Sequence, residues 1–134
     1  MNKAKALLYQ VRNEQREINI IREQIAQAEL AVLPSAIRYD LDRVQSTPDD
    51  PMLRMAEKLE RYEGQLRKHL VRITERRQKA FRMIQRLPDP TQRQVLELFF
   101  LDQRMLHMDA VADEIGYSIQ HTYRIYKAAL RNLR

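Results

Sequence analysis

Apolar residues recur at every seventh position over two long stretches of this 134-residue chain. A sustained repeat of this length lines up apolar side chains along one side of a helix, where they face a partner helix. The pattern therefore predicts two long paired helices, although Glu14 interrupts a companion apolar column of the first stretch. The main columns are Ala4, Val11, Ile18, Ile25 and Val32, then Met52, Leu59, Leu66, Ile73, Ala80 and Leu87.

The composition agrees with an all-α fold. The chain has only two glycines and five prolines, and it is rich in helix-forming residues. It has no cysteine, so disulfides and cysteine-ligated metals are excluded. No apolar run reaches membrane-spanning length, and the N-terminal one is too short for a signal peptide. We expect a soluble, cytoplasmic protein.

The prolines indicate where the helices begin and end. Pro34 is expected to end the first helix, because a proline disfavours helical geometry in the residue before it. Asp50 is expected to cap the second helix and Pro51 to occupy its first turn. The segment between them is long for a simple connection, so we expect a short helix near residues 37–44. Residues 1–86 are thus predicted to form a helical hairpin, with Met52, Met55 and Met83 in its apolar seam.

A second, compact helical domain is predicted for residues 87–134. Pro88 ends the long helix, and Asp89, Pro90 and Gln92 then supply an N-cap, a first-turn proline and a capping-box partner. The helix that follows has an apolar side formed by Val95, Leu96, Phe99 and Phe100.

Two short helical patterns end the chain, separated by Gly116. Ala112 provides the small residue at which two helices can cross, Gly116 permits the positive φ of a sharp turn, and Ser118 can cap the last helix. This arrangement is typical of a helix-turn-helix. The apolar residues of its two helices are Val111, Ala112 and Ile115, then Thr122, Ile125, Ala129, Leu130 and Leu133.

The opposite face of the last helix is the predicted DNA-binding site. No Asp or Glu follows Glu114, as expected of a face that lies against phosphates. Arg124 suits guanine and Gln120 suits adenine, while Lys127 and Arg131 suit phosphates. Tyr126 is more readily explained as a packing residue. The predicted contact residues are Ser118, Ile119, Gln120, His121, Tyr123, Arg124, Lys127 and Arg131.

The basic excess lies elsewhere in the chain. The net charge is +6, and residues 51–86 carry eleven bases against four acids. Within them, residues 67–82 hold seven bases and one acid. Such a run is a solvated helix face or a contact for DNA or polymerase. The sequence alone leaves both open.

The last 48 residues, "LPDPTQRQVLELFFLDQRMLHMDAVADEIGYSIQHTYRIYKAALRNLR", resemble region 4 of bacterial sigma factors. With "RVQSTPDDPM" before the second long helix, the whole chain resembles phage late-gene transcriptional regulators of the RinA/ArpU type. The resemblance implies a DNA-binding transcriptional activator that acts with host RNA polymerase. Its helical hairpin would oligomerise or contact the polymerase.

Two other functions stay open at this stage. A phage small terminase subunit also combines a helix-turn-helix with coiled-coil helices, usually in the reverse order, and a helical adaptor or antagonist would bind only protein. The three histidines share no ligand spacing, and no nucleophile–base pair or phosphate loop is present. We therefore expect no catalytic residues, no metal and no cofactor. We do expect self-association through the seams.

Overall fold

The computed structural model describes the backbone of residues 2–42 and 50–134, and the side chains of 2–31 and 50–134. These ranges contain helices and no strand, which confirms the all-α prediction. None of the helices in these ranges combines the length and apolarity needed to cross a membrane. The elements are α1 (Lys3–Asp42), α2 (Pro51–Gln85), α3 (Pro90–Leu96), a π-helical turn (Glu97–Leu101), α4 (Met108–Ile115) and α5 (Ile119–Asn132).

The predicted end of the first helix is wrong. α1 continues through Pro34 to Asp42, and the short helix expected near residues 37–44 is part of it as far as Asp42. The proline removes one backbone hydrogen bond, but helix-forming residues on both sides allow the helix to propagate past it. The remainder of the predicted connection, residues 43–49, lies outside the described residues.

The predicted start of α2 is confirmed. The Asp50 carboxylate accepts a hydrogen bond from the Met52 backbone N–H at 2.9 Å, and Pro51 is the first helical residue. Gly64 lies within α2, and a Cβ there would meet only the end of the Arg67 side chain, at 3.7 Å. Within the described residues, then, no close helix approach requires this glycine.

The chain divides into two compact units. The first unit consists of Met1–Arg16 and Val71–Arg134, and the second consists of Glu17–Leu70. In the second unit Ile18, Ile21 and Ala28 of the α1 seam are buried and Ile25 is half-buried, whereas the α2 seam, including Met52 and Met55, is only half-buried. Leu30 and Leu53 are exposed there. The predicted division into a helical hairpin of residues 1–86 and a compact domain of residues 87–134 remains a prediction.

In the first unit, polar residues interrupt the apolar seam of α1 and meet α2. Glu14 and Gln15 are both buried. The Glu14 carboxylate lies 3.9 Å from the Arg76 guanidinium. The Arg77 guanidinium donates a hydrogen bond to the Gln15 side-chain oxygen, and burial lowers the pKa of Arg77. The acid that breaks the sequence repeat is therefore paired with a base of the facing helix.

Arg12 is the buried cation of the first unit. Its side chain is 7% exposed, and its guanidinium lies 4.0 Å from the centre of the Phe99 ring. It donates hydrogen bonds to the backbone carbonyls of Phe99 and Leu106, the latter at 3.1 Å. These carbonyls belong to the π-helical turn and to the loop after it. Carbonyls at the end of a helix have no N–H donor within the helix and need another partner. Burial lowers the pKa of Arg12.

The start of α1 is also attached to α5. The Tyr9 and Tyr126 hydroxyls are 2.6 Å apart, and the Tyr9 ring packs edge-on against Phe100 at 5.1 Å. The Asn2 amide donates to the Leu133 carbonyl at 3.2 Å, while its oxygen accepts from the Ala4 N–H at 2.9 Å. Asn2 thus caps α1 and holds the end of α5.

We predict that Arg12→Met lowers the free energy of unfolding by about 2–4 kcal/mol, because two backbone carbonyls lose their donor in a buried setting. Urea denaturation followed by circular dichroism measures the change. Arg16→Met, one turn along α1 at an exposed position, is the matched control and should change the free energy by less than about 0.5 kcal/mol. Equal effects of the two substitutions would contradict this role of Arg12.

Candidate nucleic-acid interface

The scaffold of the site begins at α3. The Asp89 carboxylate caps the helix by accepting from the Thr91 N–H at 2.8 Å, and Pro90 occupies the first position, as predicted. The prediction for Gln92 is wrong. Its side-chain oxygen accepts from the Asn132 amide at 3.3 Å, so Gln92 connects α3 to the end of α5 rather than closing a capping box.

α3, α4 and α5 share one apolar core. Val95, Met108 and Val111 are at its centre, each at most 5% exposed. The predicted apolar sides of these helices are the ones that face it. The half-buried residues packed around this centre are Leu98, Phe99, Leu106, Ile115, Ile125 and Tyr126.

A three-residue turn joins α4 to α5, and its geometry follows the sequence prediction. Gly116 has φ of 78°, in the left-handed region that glycine tolerates best. The N–H groups of Gly116 and Tyr117 both donate to the carbonyl of Ala112. The residue Ala112 is buried, at 1% exposure. Ser118 caps α5 by accepting from the His121 N–H at 3.1 Å.

The buried side of α5 fixes the side that remains open. Thr122 and Ala129 are fully buried and Leu133 nearly so, and the Thr122 hydroxyl donates to the Ser118 carbonyl at 2.8 Å. Every residue of the predicted DNA-binding site is exposed. These exposed residues are Ser118, Ile119, Gln120, His121, Tyr123, Arg124, Lys127 and Arg131.

The three tyrosines on and before α5 differ in their exposure and contacts. Tyr126 is half-buried, and burial together with the Tyr9 hydroxyl raises its pKa, so its predicted packing role is confirmed. Tyr123 is 45% exposed on the open face. Tyr117 was not predicted as a site residue, yet it is 44% exposed and its ring packs edge-on against His121 at 4.8 Å. Its position directly before the Ser118 cap is the sequence signal that identifies it as a neighbour of the site.

Two salt bridges of Arg104 connect the loop before α4 to the end of that helix. Arg104 contacts Asp102 at 2.8 Å and Glu114, near the end of α4, at 2.7 Å. The hydrogen bond from the Arg104 side chain lowers the pKa of Asp102, and both carboxylates raise the pKa of Arg104. The last acid before the turn is therefore paired with Arg104, and the charged residues of α5 itself are all basic.

A groove of about 630 Å³ lies between α2 and the π-helical turn of the first unit. Its apolar lining comes from Phe81, Leu98 and Leu101. Its two carboxylates are engaged, since Gln85 donates to Glu97 at 2.5 Å and Arg104 binds Asp102. In the ranges that the structure describes, no cluster of His, Cys, Asp or Glu is arranged to hold a metal ion.

Comparisons with protein-family models, with curated proteins and with solved structures found no match to this chain.

We predict that Asp102→Asn lowers stability in a pH-dependent way. The folded pKa of Asp102 is below its unfolded value of about 4, so the ionised group stabilises the fold above that pH. The contribution is lost as the pH falls through the folded pKa. We expect a loss of about 1 kcal/mol at neutral pH that shrinks below pH ~4.

Urea denaturation at a series of pH values tests this prediction. Asp113→Asn, at an exposed position of α4, is the matched control and should show little effect at any pH. A deficit for Asp102→Asn that stays constant down to pH ~3 would show that the charge of Asp102 is not what stabilises the loop.

Proposed function

We propose that this protein is a sequence-specific DNA-binding transcriptional regulator of the phage late-gene type, acting with host RNA polymerase. In this proposal α4, the turn and α5 form a helix-turn-helix, and α5 enters the major groove. α1 and α2 form a helical hairpin that oligomerises or contacts the polymerase. The protein would act in the cytoplasm of the bacterial host.

The observation that carries the proposal is the open face of α5. It places hydrogen-bonding and basic side chains at the start of a helix that is capped by Ser118 and fixed by its buried side. No carboxylate lies on α5 or after it. Recognition helices read base edges with their N-terminal residues, so this is where base contacts are expected. A carboxylate among them would be repelled by phosphates.

The individual residues suit different parts of a duplex. Arg124 can bond two acceptors of a guanine and Gln120 an adenine, which gives sequence discrimination. Lys127 and Arg131 follow on the exposed side of the helix and suit phosphates, which fix the position of the protein. Tyr123 suits apolar contact with a thymine methyl group.

Selection from a random duplex library by repeated binding to the full chain tests the proposal. We expect one sequence motif to be enriched, because base contacts contribute several kcal/mol of discrimination in total. A library that shows no enriched motif after rounds that do retain DNA would contradict sequence-specific recognition.

The selected duplex allows a prediction about readout. Arg124→Ala should weaken binding to it by about 1–3 kcal/mol and weaken binding to random DNA much less. Lys127→Ala should weaken binding to both duplexes alike and lower the salt slope by about one unit. Titrations of both duplexes at several salt concentrations measure these effects. A folded Arg124→Ala protein with full affinity for the selected duplex would rule out this reading face.

A further inference from the structure

We infer that α2 carries a second DNA contact, a row of exposed bases that binds the phosphate backbone outside the site read by α5. The row consists of Arg72, Lys79 and Arg82, and Arg86 follows in the turn after α2. We call it the α2 basic row. The inference rests on the proposed function, because it assumes that the partner of this protein is double-stranded DNA.

The spacing of the basic row places it on one face of the helix. Positions 72, 79 and 82 are separated by seven and three residues, which are helical neighbours along one side. The opposite side of α2 is the buried one, with Ile73 at 5% exposure and Ala80 and Ile84 at zero. At 1.5 Å per residue, the row from Arg72 to Arg86 is about 20 Å long.

Glu75, the one acid of residues 67–82, lies between Arg72 and Lys79 on the same side of α2, so the row carries a net excess of three bases. Their neighbours Arg76 and Arg77 are turned toward α1 and are engaged by Glu14 and Gln15. The bases of the row make no ion pair of this kind within the described residues. Lys79 and Arg82 lie three residues apart, a spacing at which like charges on a helix repel each other, so an anionic partner would stabilise this end of the row.

The chemistry around the row favours DNA over a membrane or an acidic protein. A helix that binds a bilayer needs an open apolar face, and beside the row the apolar face of α2, formed by Ile73, Ala80 and Ile84, is buried. Protein interfaces depend on clustered apolar or aromatic anchors. Of the exposed apolar residues of this part of α2, Phe81 faces the groove with Leu98 and Leu101, and Val71 lies ten residues away, so neither adds an apolar anchor to the row. A linear row of charges matches the regularly spaced phosphates of a duplex.

The row and α5 belong to the same compact unit, Met1–Arg16 with Val71–Arg134. The unit therefore offers two basic surfaces of different kinds. α5 combines bases with groups that recognise base edges, whereas the α2 basic row offers charge alone. Charge alone supplies affinity without sequence preference.

The test is a salt titration of the full chain carrying Lys79→Gln and Arg82→Gln together. We expect its affinity for the selected duplex and for random DNA to fall by the same factor, and its salt slope to fall by about two units. The matched control carries Arg22→Gln and Arg67→Gln, which remove two exposed charges from other positions. The control should keep a slope within about half a unit of the parent. Circular dichroism verifies that both variants are folded.

The outcomes separate this inference from the proposed function. An unchanged slope for the row variant, with sequence-specific binding still lost in Arg124→Ala, overturns the inference and leaves the function intact. A lowered slope for the row variant, with Arg124→Ala binding both duplexes like the parent, supports the row and overturns the reading by α5. Row-dependent binding to phosphatidylserine-rich vesicles, with no binding to either duplex at low salt, overturns both.

Discussion

The first unit depends on a buried cation that is held by backbone rather than by an acid. Arg12 stacks on the Phe99 ring and donates to the carbonyls of Phe99 and Leu106. A charged group is costly to bury unless its hydrogen bonds are satisfied, and carbonyls at a helix end are costly to leave unpaired. The hydrogen bonds of Arg12 satisfy the buried guanidinium and the two carbonyls together. Arg12 also joins α1 to the π-helical turn and to the loop that leads into α4. The position of this loop therefore depends on a residue nearly ninety positions earlier in the chain.

The position of α5 follows from this arrangement. The aromatic rings beside Arg12 form one cluster with Tyr126, and the Tyr9 hydroxyl satisfies the Tyr126 hydroxyl on the half-buried side of α5. Asn2, just before α1, donates to the Leu133 carbonyl just after α5, and Gln92 of α3 accepts from Asn132, the last residue of α5. With one side fixed by these contacts, the other side of α5 has no freedom to rotate into the core. The N-terminal residues of the chain therefore help to determine which side chains of the last helix are exposed.

Local rules in the sequence were sufficient where the structure is local. The caps at Asp50, Asp89 and Ser118, the left-handed glycine at 116 and the buried stripe of α5 all involve residues within a few positions of each other. The sequence did not indicate the roles of Arg12, Glu14 and Gln15, because each is decided by a partner far along the chain. The same holds for Gln92, whose side chain binds a distant amide rather than closing the local capping box. At Pro34 two local effects compete, and helix propagation outweighs the preference against helix before a proline.

The central claim is that the open face of α5 binds DNA, and hydroxyl-radical footprinting of the protein's side chains tests it most directly. Oxidation of each residue is measured by mass spectrometry for the free full chain and for the chain bound to its selected duplex. The account predicts that DNA protects His121 and Tyr123, both exposed on α5, while Leu30 and Leu53 in the second unit react equally in both states. Saturated DNA binding that leaves His121 and Tyr123 as reactive as in the free protein would contradict it.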